Sequence, residues 1–288
     1  MTLHPLFFIG TIAFIIAGVT VMRYYFDKLV SERLHMGLIA WSLFLIIWEA
    51  GLYTGILKSM FLASPTVIIS KTLYFLEKGY LQLNTISSLS RFIKGFIVAI
   101  VAAIPLGFAI GYSKSLYEWT WPLLSFLRVV PPPAILPFAI LLLGIGEAPS
   151  VFVIALGCFF PILINTVRGV RETERIHIEV VQTMGGSTLD MLRHVVMPSA
   201  LPTVLTGIRI GFGIGWLVLV SSEIVAADSG LGFMIEGARN RLETPTVFVG
   251  MTVICLIGLS IDFFLKKVET FFINRNWGGY IGSSLFTS

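Results

Sequence analysis

Few residues of this 288-residue chain could do chemistry, and they are not grouped for it. The histidines His4, His35, His177 and His194 are scattered, without the spacing of metal ligands. Cys158 and Cys255 lie far apart in apolar runs and read as packing residues, neither a disulfide nor a metal pair. No G-x-x-x-x-G-K-[ST] stretch occurs, so the chain has no phosphate-cradling loop of its own. Gly211-x-Gly213-x-Gly215 follows no strand and reads as helix packing, not dinucleotide binding. A nucleophile–base pair cannot be argued, since His177 and His194 both fall in one polar loop. Within apolar runs the ionisable residues are Glu49, Arg209, Glu223 and Asp262. A charge in hydrocarbon is costly, so each is a functional candidate by default. Each also has a structural reading. Arg209 lies a turn or so beyond Pro202 and can snorkel to an interface. Asp262 and Lys266 stand at i, i+4 and suit a surface pair. Glu49 and Glu223 sit near span ends, where packing explains them too. An intramembrane enzyme needs paired ionisable groups, and this chain offers too few to assemble them.

The most informative polar stretch is Glu174 to Pro198, ERIHIEVVQTMGGSTLDMLRHVVMP. Ile176, Val180 and Met184 recur at helical spacing, with Arg175, Glu179 and Gln182 off that stripe. Gly185-Gly186 ends this helix, because glycine accepts the left-handed backbone of a helix C-terminus. Ser187 can cap a second short helix, and Asp190 three residues on suits its positive end. Arg193 and His194 fall in its last turn, and Pro198 closes the stretch. A bare loop has no need of an apolar stripe. The stripe must bury against something, and a partner protein is the natural candidate.

The elements around this stretch are membrane spans. The chain is 56% hydrophobic and 12% charged, far too apolar for an ordinary soluble domain. Its net charge of +4 is small, and its basic residues read as topology signals, not as a nucleic-acid surface. Seven spans are predicted: Leu6 to Met22, Met36 to Tyr53, Phe92 to Tyr112, a broken one from Pro131 to Ile145, Val151 to Val167, Ala200 to Ala226 and Thr246 to Phe264. The first follows no Lys or Arg and precedes no A-x-A site, so it reads as a retained span. Lys58 to Ser90 is too polar to cross and is predicted to lie along one face, with a short amphipathic helix from Thr66 to Phe75 after Ser64-Pro65. Gly107 and Gly111, and the ladder Gly207, Gly211, Gly215, allow close helix approach; common membrane-helix glycines are the plainer reading of the first pair. Lys114 to Arg128 is predicted to be a short loop. Val129 to Pro137, VVPPPAILP, must break a helix, since its prolines lack backbone donors. Irregular backbone at membrane depth lines a cavity or is buried in protein. Both a discontinuity beside a transport path and a kinked, packed helix fit. Pro131, Pro132, Pro133, Asn165, Ser221 and Glu223 are the candidate path residues.

Seven crossings put residues 23–35, 113–128, 168–198 and the tail on one side. That side carries twelve Lys and Arg residues against seven on the other, which favours it as cytoplasmic. The N-terminus is then extracytoplasmic.

The polar helix pair resembles the coupling loop of ATP-binding-cassette importer permeases. That family's signature is E-A-A, three residues, Gly, nine residues, Ile, one residue, Leu-Pro. Here Glu179-Val180-Val181 is followed by three residues and Gly185, and nine residues later by Val195-Val196-Met197-Pro198. The departures are apolar swaps: Val180 and Val181 for alanines, Val195 for isoleucine, Met197 for leucine. LSFLRVVPPPAILPFAILLLGIGE, PILINTVRG, PSALPTVLTGIRIG and SSEIVAADSGLGFMI look like the nitrate/sulfonate/taurine/bicarbonate branch. The likeness runs from about Trp48 to Phe264. It implies an all-α polytopic membrane protein with a six-helix permease core at 36–265, an added span and cytoplasmic loop at 1–35, and a cytoplasmic tail at 266–288. It further implies an inner-membrane location, a second permease copy, and an extracytoplasmic binding protein. Two ATPase subunits would hold ATP and Mg, and this chain would hold no cofactor. Glu179, Val180, Val181, Met184, Gly185, Gly186 and Pro198 would form the ATPase-coupling element, none of them catalytic. The alternative is a secondary transporter or channel independent of an ATPase. It calls for more buried charge or an internal repeat, and the sequence shows neither.

Overall fold

In a computed structural model, residues 32–56 and 61–277 are described. The expected first span and the tail beyond Trp277 lie outside the described residues, within which every regular element is helical. The chain forms two compact units. Among the described residues, one takes 32–56 and 61–81 together with 237–249; the other takes 82–236 and 250–277.

In the first unit, α1 (Glu32–Tyr53) lies where the second span is expected, but its apolar stretch, Ile39–Tyr53, is shorter than the helices that can cross; α2 (Pro65–Glu77) is the predicted amphipathic helix. The start of α2 follows from local chemistry. Ser64 Oγ accepts the Val67 amide at 3.3 Å and Pro65 supplies a preset φ in the first turn. Glu49 completes the cap, accepting from Thr66 N at 3.2 Å and Thr66 Oγ1 at 2.8 Å. The carboxylate near the end of α1 is therefore committed to a helix start. Trp48 packs on Phe248 with ring centroids 5.6 Å apart.

The second unit is built on α3 (Tyr80–Tyr112), α4 (Lys114–Leu127), a 3-10 turn at Pro132–Ile135, α5 (Leu136–Leu143), α6 (Glu147–Arg171), the short α7 (Arg175–Thr183) and α8 (Thr188–Met191), then α9 (Met197–Ala226), α10 (Leu231–Asn240) and α11 (Thr244–Trp277). Four helices among the described residues are long and apolar enough to cross a membrane, and the bent pair α4–α5 meets the same measure when its two halves are taken together. α6 and α9 form the centre. The glycine ladder on α9 is why they approach so closely: a Cβ on Gly207 would sit 2.6 Å from Asn165 Cβ, and one on Gly211 would sit 2.9 Å from Ile162. Gly215 lies against the buried Cys158 in the same way. Gly107 and Gly111 of α3 meet Thr166 and Val170 of α6, so the closer-packing reading holds there too. Cys255, in contrast, is an exposed free thiol and packs into no core.

Three expectations are corrected. First, the residues before Phe92 do not lie apart from the third span. α3 is continuous for 33 residues, about 50 Å at roughly 1.5 Å per residue, longer than a hydrocarbon core of about 30 Å. In its first turns Asn84 and Ser88 find hydrogen-bond partners within the protein. Second, Lys114 to Arg128 is not a loop. Ser113 Oγ caps α4, and the α4 axis meets the segment Pro132–Leu143 at 80°. α4 begins beside the end of α6, where Arg171 lies 3.8 Å from the Tyr117 ring, and α5 ends at the turn that starts α6. The pair thus crosses once, antiparallel to α6. Third, Asp262 does not pair with Lys266. It accepts from Arg209 Nε at 2.8 Å and Nη2 at 3.0 Å, and Glu269 lies 3.5 Å from Arg209 Nη1, so the network ties α9 to α11.

Candidate functional site

The candidate residues separate into three places. The first is the helix pair α7–α8. Two bonds close a Schellman motif on α7: Gly186 N to Val181 O at 2.9 Å and Gly185 N to Gln182 O at 3.0 Å. Gly185 takes φ of +76°, a backbone that any side chain would strain. Ser187 and Asp190 then form a reciprocal capping box at the start of α8. The bend is thereby fixed at both ends by hydrogen bonds. Its apolar residues divide between two faces. Ile178 and Val181 pack inward on Val170, Met191, Val196 and Ala200. Ile176, Val180, Met184 and Leu189 remain exposed, Met184 at 81%. Glu179 is exposed beside them. Val181 is thus held by its own chain, while Val180 and Met184 are free to meet another. Pro198 does not end the second helix. A π-helical segment, Leu192–Val196, runs straight into α9, so Pro198 lies inside a helix continuous from Thr188 to Ala226, and the widened turn just before it takes up the missing N–H.

The second place is a buried polar cluster. Glu223 is 1% exposed and takes hydrogen bonds from Arg91 Nη1 at 2.6 Å, Ser88 Oγ at 2.8 Å and Gly232 N at 2.9 Å. Asn84 Oδ1 accepts from Gly230 N at 2.9 Å, Ser88 Oγ from Leu231 N at 2.8 Å, and Arg91 Nη1 donates to the Ser229 carbonyl at 3.1 Å. Gly230 and Gly232 press on the Glu223 side chain, which leaves no room for a Cβ at either. Both oxygens of the carboxylate accept hydrogen bonds from the protein. Glu223 is therefore a clamp holding residues 229–232 on α3, not a lining residue of a path. Ser221 bonds its own helix, donating to Leu217 O at 3.1 Å, and is not among the residues lining the cavity at the α4–α5 break. Asn84, Ser88 and Arg91 were legible as an i, i+4, i+7 polar face on α3, a signal hidden by treating Lys58 to Ser90 as a surface segment.

The third place is a cavity of about 350 Å³ at the α4–α5 break. Its walls include Pro131 and Pro132 from the break, Gly157, Phe160 and Asn165 from α6, and Ile210 and Ile214 from α9. Pro133 is not among them. Three consecutive prolines remove three donors, and Val130 before them is pushed out of helical backbone, so the chain turns here and leaves a hollow. Gly157 lets α9 pack closely on α6: a Cβ there would lie 3.1 Å from Val218 Cγ2. Asn165 Nδ2 donates to Pro161 O at 2.8 Å, which leaves a second amide N–H. The cavity also contains Arg128, which sequence reasoning placed at a membrane face as part of a loop. The cavity spans the middle of α6 and of α9, and Arg128, exposed within this chain, borders it at that level. An arginine directly before a proline break was the available signal.

Residues 95–273 match the family model described as the binding-protein-dependent transport system inner membrane component. The chain belongs to that family. It is a multi-pass ATP-binding-cassette importer permease of the taurine, sulfonate and nitrate branch. The taurine transport system permease protein of Escherichia coli is 30% identical over 261 residues, spanning 84% of this chain and 95% of that one. The nitrate import permease protein of Synechocystis sp. is 30% identical over 242 residues, spanning 81% and 86%. An inward-facing structure of the MetNI methionine transporter superposes with a TM-score of 0.58 at 16% identity, covering 68% of this chain and 97% of that one; this likeness concerns the fold. These helices therefore take the arrangement of an importer permease, with the α7–α8 pair at the coupling-loop position of the signature.

Proposed function

We propose that this permease lines a translocation path for a small anionic solute of the nitrate or sulfonate class and is driven by two copies of a separate ATPase. A second copy of the chain would complete the path, and an extracytoplasmic binding protein would deliver the solute. The observation that carries the reading is the α7–α8 pair: Ile176, Val180, Met184 and Leu189 stand exposed on a bend locked at both ends. An apolar face held rigid is suited to being gripped and pushed, because packed helices transmit motion as units. Glu179 at its edge offers a charge to a basic group of the ATPase. The relatives named for taurine and nitrate support the solute class.

Orientation follows the basic residues. With Arg128 withdrawn from one side and the buried Arg91 from the other, the count is eleven against six, still favouring the α7–α8 side as cytoplasmic. The N-terminus would then lie outside.

The test is co-purification. Replacing both Val180 and Met184 by Asp puts charges into the proposed contact, and ATPase recovered with the permease should fall about tenfold or more while membrane insertion is unchanged. Full recovery of the ATPase with the doubly substituted chain would refute the docking assignment. Solute uptake by the purified permease without any ATPase would refute the importer mechanism.

A further inference from the structure

The cavity at the α4–α5 break contains a cation that nothing in the described chain neutralises. Arg128 and Asn165 are the polar side chains among its lining residues, and no carboxylate is among them. Arg128 makes no ion pair or side-chain hydrogen bond with the described residues. Its side chain is exposed within this chain and borders the cavity, whose opposite walls come from the middle of α6 and of α9. An arginine at that level is unfavourable against lipid by about 2.5–3.5 kcal/mol or more, so it belongs to a water-filled or ligand-filled space. The other intramembrane arginines of this unit are paired: Arg91 with Glu223, and Arg209 with Asp262 and Glu269. Only Arg128 is left to meet a counter-charge from outside the chain.

We propose that Arg128 is the residue that recognises the anionic solute during passage. Its guanidinium fork would face two oxygens of a nitrate or sulfonate group, and the second N–H of Asn165 would meet a third. Pro131, Pro132, Phe160, Ile210 and Ile214 would hold a small apolar remainder. Guanidinium matches such oxyanions with two parallel hydrogen bonds, which a lysine ammonium cannot reproduce. The volume of about 350 Å³ lies at the small end of ligand sites, in keeping with a compact solute. The absence of a carboxylate among the lining residues gives a cation no partner there. This assignment rests on the importer reading above, and the experiment below separates the two.

The permease is co-expressed with its ATPase and binding protein in cells lacking other importers for the probes, and uptake of labelled nitrate and ethanesulfonate is measured. Arg128→Gln should lower uptake of the transported anion about tenfold or more, and Arg128→Lys should retain an intermediate rate, with ATPase co-purification unchanged in both. Because glutamine could impair folding, a second variant carries Arg128→Cys in a Cys255→Ser background. Treatment with aminoethyl methanethiosulfonate, which restores a cation, should recover part of the uptake; methyl methanethiosulfonate, which does not, should leave it low. Normal uptake by Arg128→Gln would overturn the proposal. So would equal recovery with the neutral reagent, or a loss of uptake matched by loss of the assembled permease, which would make Arg128 a subunit contact. If the wild-type assembly takes up neither probe yet hydrolyses ATP with its ATPase bound, the anion assignment falls and the importer reading stands.

Discussion

Arg91 and Arg128 stand in the same unit, each flanked by apolar sequence, and their surroundings are opposite. Arg91 is 5% exposed in its side chain and answered by Glu223, with Ser229 taking a second bond. Arg128 lines a cavity with no carboxylate. The difference teaches how to read an intramembrane charge. One that the fold neutralises holds elements together; one that the fold leaves open is available to something that passes through. Arg209 lies with the first kind, shared between Asp262 and Glu269.

The sharpest way to break this comparison is at Glu223. Glu223→Ala leaves Arg91 buried without a counter-charge and removes the acceptor of the Gly232 amide. The expected loss is about 3–5 kcal/mol, seen as a large fall in thermal midpoint of the purified protein. Glu223→Gln, which keeps the shape and some hydrogen bonds, should cost less. If Arg128→Gln destabilised the protein as much as Glu223→Ala, the contrast between the two arginines would be lost.

Smaller effects sharpen it. Gly185→Val forces a branched side chain into φ of +76° at a point where nothing crowds the added atoms, so the cost is conformational, about 1–2 kcal/mol. It should loosen the bend between α7 and α8, leaving insertion intact while ATP hydrolysis and uptake part company in a coupled assay. The smallest change is expected for Asp262→Asn. Arg209 keeps Glu269, and both Arg209 and Asp262 are about a third or more exposed, so stability should shift by about 1 kcal/mol or less, read as a small drop in thermal midpoint.

Local chemistry made much of the α7–α8 pair readable from the chain. Glycine at a helix end, serine before a short helix and aspartate three residues on each act within one turn, and the structure returns all three as bonded motifs. The glycine ladder on α9 was equally plain, since small residues four apart make a flat face whatever they pack against. Reading failed where a residue's partner lies far along the chain. Glu223 looked like a candidate for the path because Ser88 and Arg91, more than 130 residues away, could not be placed beside it. Asp262 was given Lys266 because helical spacing favours the near neighbour; Arg209 won through bidentate geometry supplied by another helix. A proline after a polar helix suggests a stop, yet at Pro198 the helix continues, its missing donor accommodated by the π-helical turn before it.

Composition and period alone determined that this chain is a helical membrane protein, and the signature spacing located the bend between α7 and α8. Those properties depend on residues within a few turns of one another, or on averages over the chain. Which charges are spent and which remain free was decided only in three dimensions. Neutralisation falls off steeply with distance, and a partner that closes within 3 Å comes from whichever helix the packing brings near, not from the neighbour in sequence. The proline run announced a break, but only the arrangement of α4, α5, α6 and α9 turned that break into a cavity and set Arg128 in it.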